Sequence, residues 1–333
     1  MSSATHLAHL HQNAAKIFLP SPSYGGPVVF LDLDNTLYPV SAGVSKHMSI
    51  RMRSFVKDKL GWNGEEATAF IHRYYRDFGL SIKGMVKWHG VDPLVYDRMV
   101  DGSIPLETLL KPDPRTTQLV TTLCERYPTY ILTNAALPHS LRVLDLLNLA
   151  DLFPRQRIIA CDYAEPDFPC KPFPIMWAKA MELAGLNPEN ADDRKRCLFI
   201  DDAPRNCVGA LEYGWIAVHI AAADVSHTHT PSEPFQDEED LESPNFDPSP
   251  PTPTPVDRAT DPTVLSTTQL PSSVVSDIIP RLPPRESHLP WWPGAPWPSG
   301  TRVPLAGEKW YSPYAHFGVD ELSQISEVLP GIL

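Results

Sequence analysis

From residue 113 onward the chain alternates between two kinds of apolar pattern, and little else about it restricts the fold so strongly. Short runs rich in Ile, Leu and Val predict strands over 130–133, 157–160, 197–200 and 215–220. Between them, apolar residues recur at threes and fours and predict helices over 115–127, 139–147, 175–184 and 206–213. Strand–helix units of this size close through right-handed crossovers, so an α/β fold with a doubly wound parallel sheet is expected. One more apolar run, VVFLDLD at 28–34, is entered from Gly-Gly-Pro and ends at Asn35, which predicts a buried central strand. Such sheets bind ligands at the carboxyl ends of their strands.

The remaining segments divide the chain around this core. Residues 1–24 read as a flexible N-terminus, and 25–38 with 112–222 as the α/β core. Between the two core pieces, 39–111 holds helical patterns at 41–60, 65–77 and 92–100 without a strong strand, as expected of an inserted all-helical cap. Seventeen prolines fall between Pro231 and Pro298. That composition cannot bury enough apolar surface to offset chain entropy, so 223–300 is expected to be a disordered, acidic insertion. Residues 301–333 end in WYSPYAHFGVDELSQISEVLPGIL, where apolar periodicity returns, and are expected to rejoin the core as a strand and a short helix.

Charge and cysteine content narrow the function classes. The formal charge is −12, but nine acids lie between Pro231 and Pro262 against the single Arg258, so the excess is local. Five cysteines without a CxxC pair or zinc spacing suit a reducing compartment. No run approaches the roughly 18 apolar residues of a membrane span, and the N-terminal stretch lacks the charge of a targeting peptide. A cytoplasmic location is expected, with the nucleus as the alternative. His227 and His229 suggest a metal only weakly, having no partners nearby in sequence. Trp291, Trp292 and Trp297 among prolines read either as a docking motif or as a patch packing on the chain itself.

Four polar clusters fall at strand ends: Asp32 with Asp34, Thr133 with Asn134, Lys171, and Asp201 with Asp202. Carboxylates gathered there would repel one another unless a hard cation joined them, and oxygen ligands suit Mg²⁺. A lysine and a hydroxyl alongside supply what a phosphate needs. Asp32 is then the candidate nucleophile, forming an aspartyl-phosphate, and Asp34 the general acid and base. Each cluster also has a plainer reading: a strand-end turn for the first two, a solvated lysine for the third, and a helix cap for Asp201 and Asp202.

FLDLDNTLYP, ILTNA, the lysine of CKPFP and FIDDAPRN resemble, in that order, the four motifs of the haloacid dehalogenase superfamily. The resemblance implies a Rossmann-like sheet with a helical cap, Asp32 as nucleophile, and Thr133 and Lys171 on phosphate oxygens. It places Asp32, Asp34 (through its carbonyl), Asp201 and Asp202 around Mg²⁺. An Asp at position 34 resembles the phosphatase branch. The stretch YYRDFGLSIKGMVKWHGVDPLVYDRMVDGSIPLETLLKPD, CDYAEPDFPCKP and the ending DELSQISEVLPGIL are similar to the fungal pyrimidine 5'-nucleotidase group.

The function expected is therefore Mg²⁺-dependent hydrolysis of a small phosphorylated metabolite, with pyrimidine nucleoside monophosphates (UMP, CMP) as leading substrates. Pyridoxal phosphate, nicotinamide mononucleotide, a sugar phosphate and lysophosphatidate are alternatives. Substrate contacts are expected from Asn134 and from Tyr74, Tyr75, Lys83 and Lys87, the last four beside a loop bracketed by Gly79 and Gly84. No nucleic-acid polymer or membrane is expected as a partner. A protein partner at the Pro-rich segment is the alternative, in which the chain is a low-activity interaction protein; transfer of the phosphoryl group to an acceptor other than water is a third reading.

Overall fold

The structure, a computed structural model, describes residues 24–62, 64–221, 287–289, 295 and 299–332. Most of the N-terminal stretch, most of the Pro-rich segment, the His227/His229 pair and the three tryptophans of WWPGAPW lie outside these residues.

Six parallel strands form one sheet in the order β3-β2-β1-β4-β5-β6. They are β1 (Val28–Leu31), β2 (Thr129–Leu132), β3 (Ile158–Ile159), β4 (Cys197–Asp201), β5 (Ile216–Ile220) and β6 (Phe317–Val319). β1 and β4 lie side by side at the centre, with Leu31 opposite Ile200, so Asp32 and Asp201 leave neighbouring strand ends together. The strands are buried on both faces and their residues alternate between two cores. Val29, Leu31, Ile131, Leu198, Ile200 and Val218 pack into one, and Phe30, Tyr130, Leu132, Phe199 and Ala217 into the other with Trp177 and Trp215.

Between β1 and β2 the chain builds the cap from α1 (Val44–Leu60), α2 (Gly64–Phe78), α3 (Ser81–His89) and α4 (Pro93–Met99). The cap packs around Phe55, Val56, Trp62, Tyr74, Met85 and Tyr96, in a cluster that continues into the core through Ala136, Cys161, Tyr163, Phe168 and Cys170. α3 corrects the expected loop: Gly84 lies inside a helix, and its bare backbone rests on the Tyr74 ring, in space any Cβ would need. Tyr74 and Met85 bury the two helices against each other.

Four core helices carry proline at their first or second position, which it fits because it has no N–H to leave unpaired. α5 (Leu106–Leu109) links the cap to α6 (Pro114–Arg126), where Asp113 accepts the Thr116 amide at 3.0 Å. α7 (Leu137–Leu146), α8 (Pro174–Leu183), α9 (Ala191–Lys195) and α10 (Pro204–Glu212) follow. The C-terminal segment adds β6 to the edge of β5, then turns through α11 (Ile325–Val328), burying Phe317, Val319, Leu322, Ile325 and Leu329 on one face of the sheet. No helix of the described residues is long and apolar enough to cross a membrane.

Candidate active site

The turn after β1 brings its polar side chains to one place. Asn35 adopts a left-handed backbone (φ 59°), which Asn tolerates better than most residues. From there its amide donates to Asp202 Oδ2 (3.1 Å) and accepts from Ser45 Oγ (3.0 Å), joining the first motif to the fourth and to the cap. Thr36 donates to Asp32 Oδ2 at 3.1 Å.

Lys171 occupies the middle of the site. Its ammonium, 1% exposed at the side chain, donates to Asp32 Oδ1 (2.5 Å) and Asp201 Oδ2 (2.6 Å). Asn134 fixes the backbone of Lys171 from both sides, its Oδ1 accepting the Lys171 amide at 2.7 Å and its Nδ2 donating to the Lys171 carbonyl at 3.0 Å. The Lys171–Pro172 bond is cis. Thr133, 1% exposed, caps the turn after β2 by accepting the Ala135 amide at 3.0 Å. Asp201 is wholly buried, and its oxygens also accept from the Ala203 amide (2.7 Å) and from Asn206 (3.1 Å to each).

One oxygen each of Asp32, Asp201 and Asp202 lies within 4.8 Å of the others. Burial is the largest influence on Asp32 and pushes its carboxyl up to about 7 despite Lys171, with Asp201 adding repulsion. Asp202 is driven well above the carboxylate range by burial, then by the charges of Asp201 and Asp32. Lys171 stays charged because those two carboxylates outweigh its burial. Three carboxyls around one ammonium thus leave the cluster short of positive charge, and an all-oxygen donor set suits a hard divalent ion such as Mg²⁺. The residues fit that ion.

Asp34 stands apart. Its carboxylate belongs to no such group, so only its backbone carbonyl remains for the metal role expected of it. Instead Oδ1 accepts from the Tyr38 hydroxyl (2.7 Å) and lies 2.8 Å from His139 Nε2. Burial works against the charged form, but the charge and hydrogen bond of His139 and the Tyr38 hydroxyl together hold Asp34 below the usual carboxylate range.

The cap residues named from the sequence separate. Tyr74 is buried in the cap and bonds to His89 Nε2 at 2.6 Å, which removes it from a substrate. Lys83 donates to the Asp167 and Phe168 carbonyls (3.2 Å each), tying cap to core rather than reaching a base or sugar. Lys87 lies over the Phe78 and Trp88 rings. Tyr75, 39% exposed, is the one whose charge environment includes the carboxylates: partial burial pushes its phenol up to about 12, and Arg205, Asp202, Asp201 and Lys171 all act on it electrostatically. Arg205 lies over its ring at 4.9 Å and donates to the Tyr75 and Arg76 carbonyls. Asn134, expected on substrate, spends its amide on Lys171. Tyr38, His139, Arg205 and Asn206 were not singled out from the sequence. Only Tyr38 and the Arg205–Asn206 pair carried a signal, as part of the motif strings.

A model of haloacid dehalogenase-like hydrolases matches residues 27–214, which span the sheet from β1 through α10 and include the whole cap. Phosphate metabolism protein 8 of Saccharomyces cerevisiae is 33% identical over 224 residues, covering 64% of this chain and 68% of that protein. Similar solved structures include a family IA, variant 3 hydrolase of Entamoeba histolytica (16% identical, 60% of this chain and 86% of that one, TM-score 0.43). Another is a haloacid dehalogenase-like hydrolase of Streptococcus pneumoniae (19% identical, 59% and 84%, TM-score 0.40). With Asp32, Lys171 and Asp201 joined at adjacent strand ends and more than half the sequence matched, the chain belongs to the haloacid dehalogenase-like hydrolase family.

Proposed function

We propose that the protein is a Mg²⁺-dependent phosphomonoesterase working through an aspartyl-phosphate on Asp32, with pyrimidine nucleoside 5'-monophosphates as its substrates. The observation that carries this reading is the contrast between two carboxyls two residues apart. Asp32 sits among Lys171, Thr36 and two further acids, while Asp34 is held outside that group by Tyr38 and His139. A cation bound at the cluster would keep Asp32 ionised for attack, while Asp34, outside the cluster, is left for proton transfer.

An oxygen of Asp32 attacks phosphorus, the ester P–O bond breaks, and Asp34 delivers a proton to the departing alkoxide. Water then gives its proton to Asp34 and attacks the same phosphorus, releasing inorganic phosphate and restoring the Asp32 carboxylate. The Lys171 ammonium and the Thr133 hydroxyl donate to the phosphoryl oxygens, the first also compensating their charge. Mg²⁺, when bound by Asp32, Asp201 and Asp202, supplies further neutralisation of that charge. The cap encloses the leaving group and excludes bulk water.

Phosphate release from UMP, CMP, AMP, pyridoxal phosphate and a sugar phosphate, with Mg²⁺ or EDTA and with Asp32→Asn as control, tests the proposal. Metal-dependent turnover favouring UMP or CMP and lost in the variant is the expected result. Turnover favouring another ester moves the substrate, and activity that survives Asp32→Asn removes the mechanism.

A further inference from the structure

Two donors converge on a single oxygen of Asp34. The Tyr38 hydroxyl reaches Oδ1 at 2.7 Å from four residues along the same turn, and His139 Nε2 reaches it at 2.8 Å from the first turn of α7. Since a carboxylate oxygen only accepts, the imidazole carries a proton on Nε2. Asp34 Oδ2 has no partner among the described residues, although the side chain keeps 28% of its exposure. The carboxylate is therefore held by one oxygen and open at the other.

His139 is an expensive way to fill that space. Its side chain is 1% exposed, and Nδ1 is buried without a hydrogen-bond partner. Leaving a buried ring nitrogen unpaired is unfavourable, and an apolar side chain of similar volume would avoid it. The position is also framed by charge: Asp101 of the cap favours the imidazolium, Arg142 of α7 opposes it, and Asp97 lies within electrostatic reach. What the imidazole contributes that an apolar group could not is its bond to Asp34.

We infer that His139, with Tyr38, is a positioning residue that clamps Oδ1 of Asp34 and so presents Oδ2 to the ester oxygen of the substrate, an assignment resting on the acid–base role proposed above. Losing a donor frees the carboxylate to rotate and lowers the fraction of enzyme aimed productively. The loss matters only where the leaving group needs a proton.

The test is the pre-steady-state burst of leaving group, followed by rapid quench for UMP and by absorbance for p-nitrophenyl phosphate, whose nitrophenolate departs without protonation. His139→Ala is expected to slow the uridine burst about 10- to 100-fold and the nitrophenolate burst no more than about 3-fold, with KM for each within about 2-fold. His139→Gln, which restores a side-chain N–H near Nε2, is expected within about 5-fold of wild type for UMP, and Tyr38→Phe to show a smaller loss with the same leaving-group bias. Equal slowing of both esters, no slowing of either, or a Gln variant as slow as the Ala one would overturn the assignment. If His139→Ala fails to fold by thermal melting, the Gln and Phe variants decide alone, the leaving-group bias of Tyr38→Phe supporting the clamp and its absence refuting it. A burst that survives Asp32→Asn refutes the aspartyl-phosphate reading instead, and if wild type shows no burst the single-turnover rate of leaving-group release is compared in its place. Should UMP not turn over, the best alkyl ester of the panel replaces it.

Discussion

Asp32 and Asp34 share a turn but not an environment, and that difference supports separate predictions. Asp34→Asn removes the proton donor and acceptor while leaving the nucleophile bonded to Lys171 and Thr36. A loss of about 10² to 10⁴ in kcat is expected. Rapid quench with p-nitrophenyl phosphate should show phosphate accumulating on the protein, since the first step survives and the second stalls. Lys171→Met leaves Asp32 and Asp201 buried beside each other without their common ammonium. Breaking such a contact costs about 3–5 kcal/mol, to be read from urea denaturation in EDTA. The carboxylates and Lys171 were legible because each ends an apolar run or sits in a recognisable string. His139 was not: it meets Asp34 across 105 residues of sequence, and a single histidine opening a helix has no local signature. The internal bonds of Lys83 and Asn134 were hidden for a related reason, since a sequence does not reveal which polar groups the protein pairs internally.

Between elements, glycines decide how closely the cap approaches the site. Gly79, just past α2, has φ 79°, and a Cβ there would stand 2.5 Å from the Lys171 carbonyl oxygen. Gly209 of α10 lies against Pro172, where a Cβ would stand 2.6 Å from the Pro172 Cβ and 2.7 Å from the Pro172 carbonyl oxygen. The loop bearing Lys171 is thus held between two positions that admit no side chain. Gly79→Ala combines an unfavourable backbone with a collision, so a destabilisation of about 1–3 kcal/mol is expected. It should come with a drop in phosphate release larger than the stability loss explains, checked by denaturation and kinetics on the same preparation. The alternation of strands and helices was readable because burial on both faces demands continuous apolar runs. α3 was not, because glycine favours a turn by its own preference and occupies a helix here only through the packing of Tyr74. Arg205, reaching from α10 to carbonyls at the end of α2, is likewise a product of the assembled fold.

At the scale of the whole molecule, the carboxylate cluster links metal, pH and stability. The Asp32 carboxyl, at about 7 in the metal-free protein, holds a proton that the unfolded chain, near its ordinary 3.8, has already released. Its contribution to stability is complete below the lower value and lost as pH rises through the upper one. A divalent ion competes with that proton, so Mg²⁺ should raise Tm more at about pH 8 than at about pH 6. Differential scanning calorimetry in Mg²⁺ and in EDTA checks this, and a shift independent of pH would count against the cluster as the binding site. β6 adds a constraint of another kind. It pairs with β5 although the two are far apart along the chain, and its residues close one of the apolar faces. During synthesis, β5 leaves the ribosome about a hundred residues before its neighbour, an interval on the order of 5–20 s. Through that interval the sheet has an open edge and an uncovered apolar face. A nascent chain cut short before Phe317 would therefore emerge as a client for chaperones rather than as a smaller enzyme, and timely arrival of β6 becomes part of what keeps the sheet from pairing with another chain.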